Sequence, residues 1–529
     1  MIKQVIKLMV VLCSVTIAGA TEYFVSGENG NDENAGDIEQ PFKTISVAME
    51  KLVPGDILYI RQGTYRESLK VNIKATAEKP IVIRNYQSEI VTIKGSDLFN
   101  VSDFVQIDMP GFDANSDWAK KRGLVVKAFK KDNFPVNPSQ VFINGKSLAQ
   151  VGDDATAVAL DGNWTRLTNG SEAMQMRRNS FFYDKETKAL YIRPGGNNFP
   201  KDAVVEISMR QSLLTIGKEG EYIHIIGLNF MHTSTLGNSY GGKAVTIRSN
   251  CTLESSTIKW CAGIGVDAGG KNPKVIDCEL AFNGNDGFNS NSTEDFLVSK
   301  CLIHHNNYRD YNPNWHTGGL KIIPDANGTI EYCKVYDNYG YGIWFDSNRS
   351  GRPIIIRGNT VSGNIGGVYL ELSHNVLLEN NFIIYNTYFA VQAVGSDIVV
   401  RGNTIANNSG YCSLGFLPRK KKEYRSEDQH CKNNVIENNL FMDNRTRIEI
   451  HLPAKDEEND VENFKCDNNS FVRIGGSKFR YTSGPVGGEK YRDIFDNGHF
   501  STWKRETGFD KNSYYWEGNF ETRYEKNKK

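Results

Sequence analysis

What this chain lacks narrows its identity before any motif is read. Proline is scarce, 15 residues in 529 against 49 glycines, a balance that suits many short strands joined by tight turns. Net charge is absent: 62 basic residues meet 62 acidic ones, so no global field draws the protein to nucleic acid or to an anionic membrane. Beyond residue 20 no apolar run is long enough to cross a bilayer. No CxxC or His–Cys spacing accompanies the cysteines and no Ca²⁺-loop spacing occurs, which removes the usual metal signatures.

What is present opens with an export signal. Lys3 and Lys7, the apolar run Leu8 to Leu12 and the small residues Ala18-Gly19-Ala20 follow the order of a cleavable signal peptide. Residues 1–20 are therefore set apart, and the mature chain is expected to be secreted or periplasmic. Cys13 follows Leu12 rather than a small residue, which argues against lipidation. Export permits disulfides, and Cys412 and Cys431, which flank the loop around PRKKKEYR, form the candidate pair on spacing alone. The basic loop itself reads as a solvated segment.

From about residue 220 to 475 a unit of 22 to 36 residues recurs, in lines such as VIDCELAFNGNDGF, IEYCKVYDNYGYGIWFD, IIIRGNTVSGNIGGVYLE and IVVRGNTIANN. Apolar and polar residues alternate over three to five positions in each line, the period of strands. One such unit cannot bury its own apolar face, whereas stacked units bury a continuous core. Alignment of the turns places Cys251, Cys278, Cys301 and Cys333 in one column, continued by Asn359, Asn381, Asn403, Asn439 and Asn469. Such a column is a ladder in which each side-chain amide bonds the turn of the next coil.

The expected fold is all-β: a single-stranded, right-handed parallel β-helix. Phe42, Ile45, Ala48 and Leu52 share one helical face, so Pro41 to Leu52 is read as the N-terminal helical cap. Residues 21–100 then hold the cap and first coils, 101–215 a β-rich insertion, 216–475 the β-helix with the active site, and 476–529 an extension packed on the last coil.

Chemistry enters on two neighbouring coils. Alternation in GIWFD sends Ile343 and Phe345 inward and leaves Trp344 and Asp346 outside; GVYLE does the same with Tyr369 and Glu371 outside. The motifs lie 25 residues apart, one repeat, so Asp346 and Glu371 are expected about 5 Å apart in one outward column. Two carboxylates that close repel, and one should retain its proton. A retaining glycosidase needs carboxyls about 5–5.5 Å apart, one as nucleophile and one as acid/base. The plain alternative is a solvated surface pair.

In GGLKII, Lys321 falls in the column of Trp344 and Tyr369. It could hold a substrate hydroxyl or carboxylate, abstract a proton as a lyase base, or be an exposed lysine bridging to the acids. The insertion YRDYNPNWHT brings Tyr308, Tyr311, Trp315 and His316 to the edge of the site, where aromatic faces stack on sugars. His374 follows Glu371 closely enough to tune it. Asp267, Asp286 and Asn289 lie on earlier coils of the same face, where they could extend a subsite or bind Ca²⁺ through oxygen ligands; without a Ca²⁺-loop spacing, structural turn roles are favoured.

At these residues the chain resembles the β-helical β-xylosidase family of glycoside hydrolases. The likeness runs through GLKII, GIWFD and GVYLELSH, with Ser373-His374 after the glutamate, and includes the opening YFVSGENGNDENAGDIEQPFKTISVAMEKLVPGDILYIRQGTYRE. The resemblance implies Asp346 as nucleophile and Glu371 as acid/base, acting on a polysaccharide or oligosaccharide, with no cofactor. Where the family has an acidic residue shortly before the lysine strand, this chain has WHTGG. Two other readings stay open: a polysaccharide lyase with Lys321 as base, which would bring in Ca²⁺, and a non-catalytic glycan-binding β-helix.

Overall fold

The computed structural model describes residues 20–113, 115–123, 125–151, 176–235, 242–417, 431–453, 461–472, 478–483, 492–497 and 500–516. Residues 1–19 of the expected signal peptide and the PRKKKEYR segment, 418–425, lie outside the described residues. Among those described, three sheets of thirteen strands run side by side, and each coil gives one short strand to each sheet. The chain is a parallel β-helix. Pairing is in register from coil to coil, as in Ile330↔Ile356↔Leu378↔Val400↔Ile436 on the first sheet. These inward residues belong to one apolar core that runs from Val25 to Phe479.

The turns explain why coils stack without slipping. Strands of the first sheet end on a residue in the left-handed region, with φ of 53–64° at Asp277, Lys300, Tyr332, Gly358, Asn380, Gly402 and Asn438. Glycine and asparagine adopt that conformation readily. The next residue in each coil is the ladder position. Asn359 donates from its amide to Asn381 Oδ1 at 3.0 Å, Asn381 to Asn403 at 2.9 Å, Asn403 to Asn439 at 3.0 Å and Asn439 to Asn469 at 3.1 Å. Cys333 and Cys301 continue it, with the Cys301 N–H donating to Cys333 Sγ at 3.4 Å. Cys251 does not belong to this column. It precedes strand Thr252–Glu254, one corner early, and Ser256 stands at the turn after that strand.

A second ladder, Asn283-Asn306-Asn338-Asn364-Asn386-Asn408-Asn444, runs along the next corner. Both ladders end on carboxylates. Asn444 donates to Glu449 at 2.8 Å, and Asn469 donates to Asp510 at 3.0 Å. Asp510 also receives the indole N–H of Trp503 at 3.0 Å. Trp503 and Phe500 are the buried face of helix Phe500–Thr507, which closes the far end of the core. The near end is closed by helix Ile45–Met49, whose Ile45, Ala48 and Met49 are buried.

Two small sheets, of four and five strands, interrupt the winding between Ser96 and Ser208. A buried polar cluster clamps them to the helix. Glu206 accepts from Lys94 at 3.0 Å and from Arg66 at 2.9 Å; Ser96 Oγ bridges Glu206 and His232 Nδ1. Burial would push the Glu206 carboxyl up, but the two cations hold it below its ordinary value. His232 stacks on Phe142, with ring centroids 3.8 Å apart. Burial lowers its pKa from 6.5 to about 4, against the pull of Glu206 and with the repulsion of Lys94 and Arg66.

Between pH 4 and 6.5 the unfolded chain therefore binds the proton that folded His232 refuses, so stability falls as pH drops through that window. The loss is on the order of 3 kcal/mol. Denaturant melts across this range should show it, and His232→Phe should flatten that part of the profile. An equally steep variant would remove His232 as the cause.

Candidate active site

The site strands owe their shape to a column of glycines. A Cβ on Gly319 would come 2.4 Å from the Gly342 carbonyl oxygen, and one on Gly342 would come 2.8 Å from that of Gly367. Their absence lets three coils close up at this corner. Beyond it, Leu320, Ile343 and Val368, then Ile322, Phe345 and Leu370, enter the core. The residues between them face outward in two columns. One is Asn289↔Lys321↔Trp344↔Tyr369↔Gln392, and the other pairs Asp346 with Glu371.

Outward does not mean exposed. Lys321 is 1% exposed and Glu371 8%, while Trp344 and Tyr369 are buried in a second apolar cluster with Tyr341, Phe389, Cys412 and Ile448. Lys321 does bridge to an acid, Asp346, but from a buried rather than an exposed position. Lys321 Nζ lies 2.8 Å from Asp346 Oδ2 and 3.0 Å from the centre of the Trp344 ring. The same indole donates its N–H to Glu371 Oε2 at 2.9 Å. The two acids therefore do not face each other alone: an ammonium and an indole stand among them. Burial lowers the Lys321 pKa, and the charges of Asp346, Glu371 and Asp286 oppose that fall. Asp346 keeps 29% of its side chain exposed, so this carboxylate is open to solvent.

His316 is buried beside Lys321, with Nδ1 3.0 Å from Asp286 Oδ2 and Nε2 3.4 Å from the amide nitrogen of Asn289. Asp286 is wholly buried, and desolvation raises its carboxyl despite the His316 and Lys321 charges. Asp286 and Asn289 thus sit in strand Asp286–Asn291 on the site face, not in turns. Asp267 likewise lies in strand Ile264–Ala268, where Lys243 meets it at 2.9 Å. Sequence reasoning missed the Asp286–His316 pair; the register Asp286↔Gly318 was the signal that could have found it.

Of the loop aromatics, Trp315 is exposed at 42% and immediately precedes the buried His316. Tyr308 instead hydrogen-bonds Gln140 of the insertion, and Tyr311 is 1% exposed beneath Arg309. Neither presents a face to a sugar. His374 turns Nδ1 to the Ser396 N–H at 3.0 Å. Cys412 and Cys431 are free buried thiols, not a disulfide. Cys412 faces the Trp344 cluster, whereas Cys431 pairs with Val461 in a separate two-stranded sheet. Among the described residues no group of His, Cys, Asp and Glu is placed to hold a metal ion. No described helix is long and apolar enough to cross a membrane.

The family model for the right handed beta helix region matches residues 242–352 and 314–417, the coils that carry these side chains. The fold is accordingly a right-handed parallel β-helix. One stretch of 82 residues is 43% identical to the uncharacterized protein YwoF of Bacillus subtilis, covering 16% of this chain and 18% of that one. A stretch of 81 residues is 36% identical to pectate lyase PEL9 of Emericella nidulans, covering 15% of this chain and 20% of that one. The matched stretches span about a fifth of the length of these curated relatives. Among solved structures, the complex of XylC with xylose aligns over 84% of this chain and 86% of that one, with a TM-score of 0.58 and 15% identity. That likeness is one of fold.

The ammonium seated on Trp344 makes the indole a reporter of Lys321. The part of the tryptophan emission that Trp344→Phe removes should change on alkaline titration with a midpoint below 10.5, because burial weakens the hold of Lys321 on its proton. Lys321→Met should abolish that transition. A transition that survives in Lys321→Met would assign it to another group.

Proposed function

We propose that this protein is an exported, carbohydrate-active enzyme, a retaining glycoside hydrolase in which Asp346 is the nucleophile and Glu371 the acid/base. The observation that carries the reading is the pairing of the two residues on adjacent coils, Asp346↔Glu371, with Lys321 2.8 Å from Asp346. Neighbouring coils lie about 4.8 Å apart, the scale of the carboxyl separation that retention requires.

The roles follow from the partners. The Lys321 ammonium balances the Asp346 charge and orients Oδ2, so the exposed part of the carboxylate meets the anomeric carbon. As that bond forms, the glycosidic C–O bond breaks and Glu371 passes its proton to the leaving oxygen. Water then attacks the glycosyl-enzyme, Glu371 takes the water proton, and Asp346 leaves with the anomeric configuration retained. The Trp344 N–H fixes the Glu371 carboxyl through Oε2 for both transfers. Trp315 is the exposed aromatic offered to a sugar, while the buried Trp344, Tyr369 and His316 brace Lys321, Glu371 and Asp286 from behind, and His374 supports the turn after Glu371.

A second reading is favoured by one observation. Burial lowers the Lys321 pKa, which suits a base that removes a proton beside a uronate carboxylate. The short likeness to pectate lyase PEL9 points the same way. Products separate the two, since hydrolysis leaves saturated ends and β-elimination leaves unsaturated, ultraviolet-absorbing ones. Saturated products of retained configuration by NMR are expected; unsaturated ends would move the chemistry to Lys321.

The two acids should fail differently. Asp346→Ala should abolish turnover of every glycoside, with kcat down by at least about 10⁴, as expected when a nucleophile is lost. Glu371→Ala should retain activity on aryl glycosides with good leaving groups, and azide should raise that rate and yield a glycosyl azide of retained configuration. Near wild-type activity in Asp346→Ala, or rescue of Asp346→Ala with retention, would overturn the assignment.

A further inference from the structure

Over its later coils the outer face of the first sheet carries a column of alternating charge, whereas Ile226, Glu254, Ile276 and Ser299 occupy that column in the middle coils and aromatics gather at the near end. Its outward column reads Glu331, Arg357, Glu379, Arg401 and Glu437 on successive coils, and neighbours pair as ions, Arg357 with Glu331 at 2.7 Å and Arg401 with Glu379 at 2.9 Å. In the first coils the same face carries Phe24↔Tyr59↔Arg84 instead, with Tyr86 beside them. Core packing does not demand aromatics here, because the rings lie outside the helix.

These rings line a groove of about 670 Å³ together with Glu22, Asp37, Ile38, Arg84 and Gln87. Phe24 and Tyr59 stack at 5.2 Å and 23°, while Tyr86 stands edge-on to both at 5.7 Å. Arg61, itself paired with Glu89, lies over Tyr86 at 4.9 Å and keeps that ring in place. Around the aromatic floor the rim mixes acceptors and donors: two carboxylates, a guanidinium, an amide and the Tyr59 hydroxyl, which donates to Glu22 at 3.4 Å. Arg84 Nε is buried and has no hydrogen-bond partner among the described residues.

An aromatic floor with a rim of alternating donors and acceptors matches a pyranose, whose faces are C–H surfaces and whose edge is a ring of hydroxyls. Charge selects among sugars. Two carboxylates against one guanidinium favour neutral hydroxyls over the carboxylates of a uronate. We propose that this groove is a second glycan-binding site, specific for neutral chains, on a different sheet from Asp346 and Glu371 and several coils toward the N-terminal end. Its place along the helix lets it hold a polymer while the cleft acts on another part of the same chain, and linked contacts raise effective concentration.

Affinity electrophoresis of the full chain through gels of xylan, glucomannan, galactan and polygalacturonate tests this. At least one neutral glycan should retard the protein, and polygalacturonate should not act through this groove. Tyr59→Ala and Tyr86→Ala should each weaken that retardation about tenfold, the scale of one aromatic contact. Gln87→Ala, at an exposed rim position whose amide donates to the Tyr86 hydroxyl at 3.0 Å, should weaken it less. Asp346→Ala, which alters the cleft alone, should leave it intact, so failure of the hydrolase reading would show in turnover and not here. Retardation unchanged in both tyrosine variants, or lost in Asp346→Ala, or absent on all three neutral glycans, would overturn the proposal.

Discussion

Parallel, in-register stacking is the constraint on which the rest of this molecule depends. Each residue has a counterpart one strand spacing away, about 4.8 Å along the axis, and whatever occupies a column must tolerate its own kind as neighbour. Asparagine does so because its amide donates and accepts at once, which is why two corners carry asparagine ladders. Glycine does so where backbones touch, at Gly319, Gly342 and Gly367. The same rule brings Asp346 beside Glu371 without any loop to position them.

The cleft pays for that proximity with a buried cation. An ammonium at 1% exposure is tolerable only among anions and a ring face, and Lys321 has both. The indole of Trp344 serves two neighbours at once, its face toward Lys321 and its N–H toward Glu371. One side chain therefore ties the positions of a cation and an acid together, and the Asp286–His316 pair lies buried behind them.

Much of this was legible in the sequence because it is one-dimensional. Repeat length gave the coils, alternation gave the outward residues Lys321, Trp344, Asp346, Tyr369 and Glu371, and the turn lines gave the asparagine ladder. What escaped depends on contacts distant in sequence. Burial of the site comes from Tyr341 on the Trp344 strand and from Phe389, Cys412 and Ile448 on later coils, which no local pattern announces. Tyr308 bonds Gln140, 168 residues away, so its packing into the insertion was hidden. Asp286 was legible on the site face, but its partner His316 lies inside the stretched 32-residue interval between Cys301 and Cys333, which hid that contact, and Cys251 mimicked a ladder position only because a cysteine also opens the strand before Ser256.

The ladder ends have a further meaning. Between Asn359 and Asn403 each rung follows the last by 22 residues, and every rung both gives and receives. A stretch of that length is a complete module: duplicated in the gene, it would lengthen the rod by one rise and carry everything beyond it along. Glu449 and Asp510 work differently, because a carboxylate accepts and hands nothing on. They act as punctuation, so growth by duplication is open to the interior of the rod and closed at its tip.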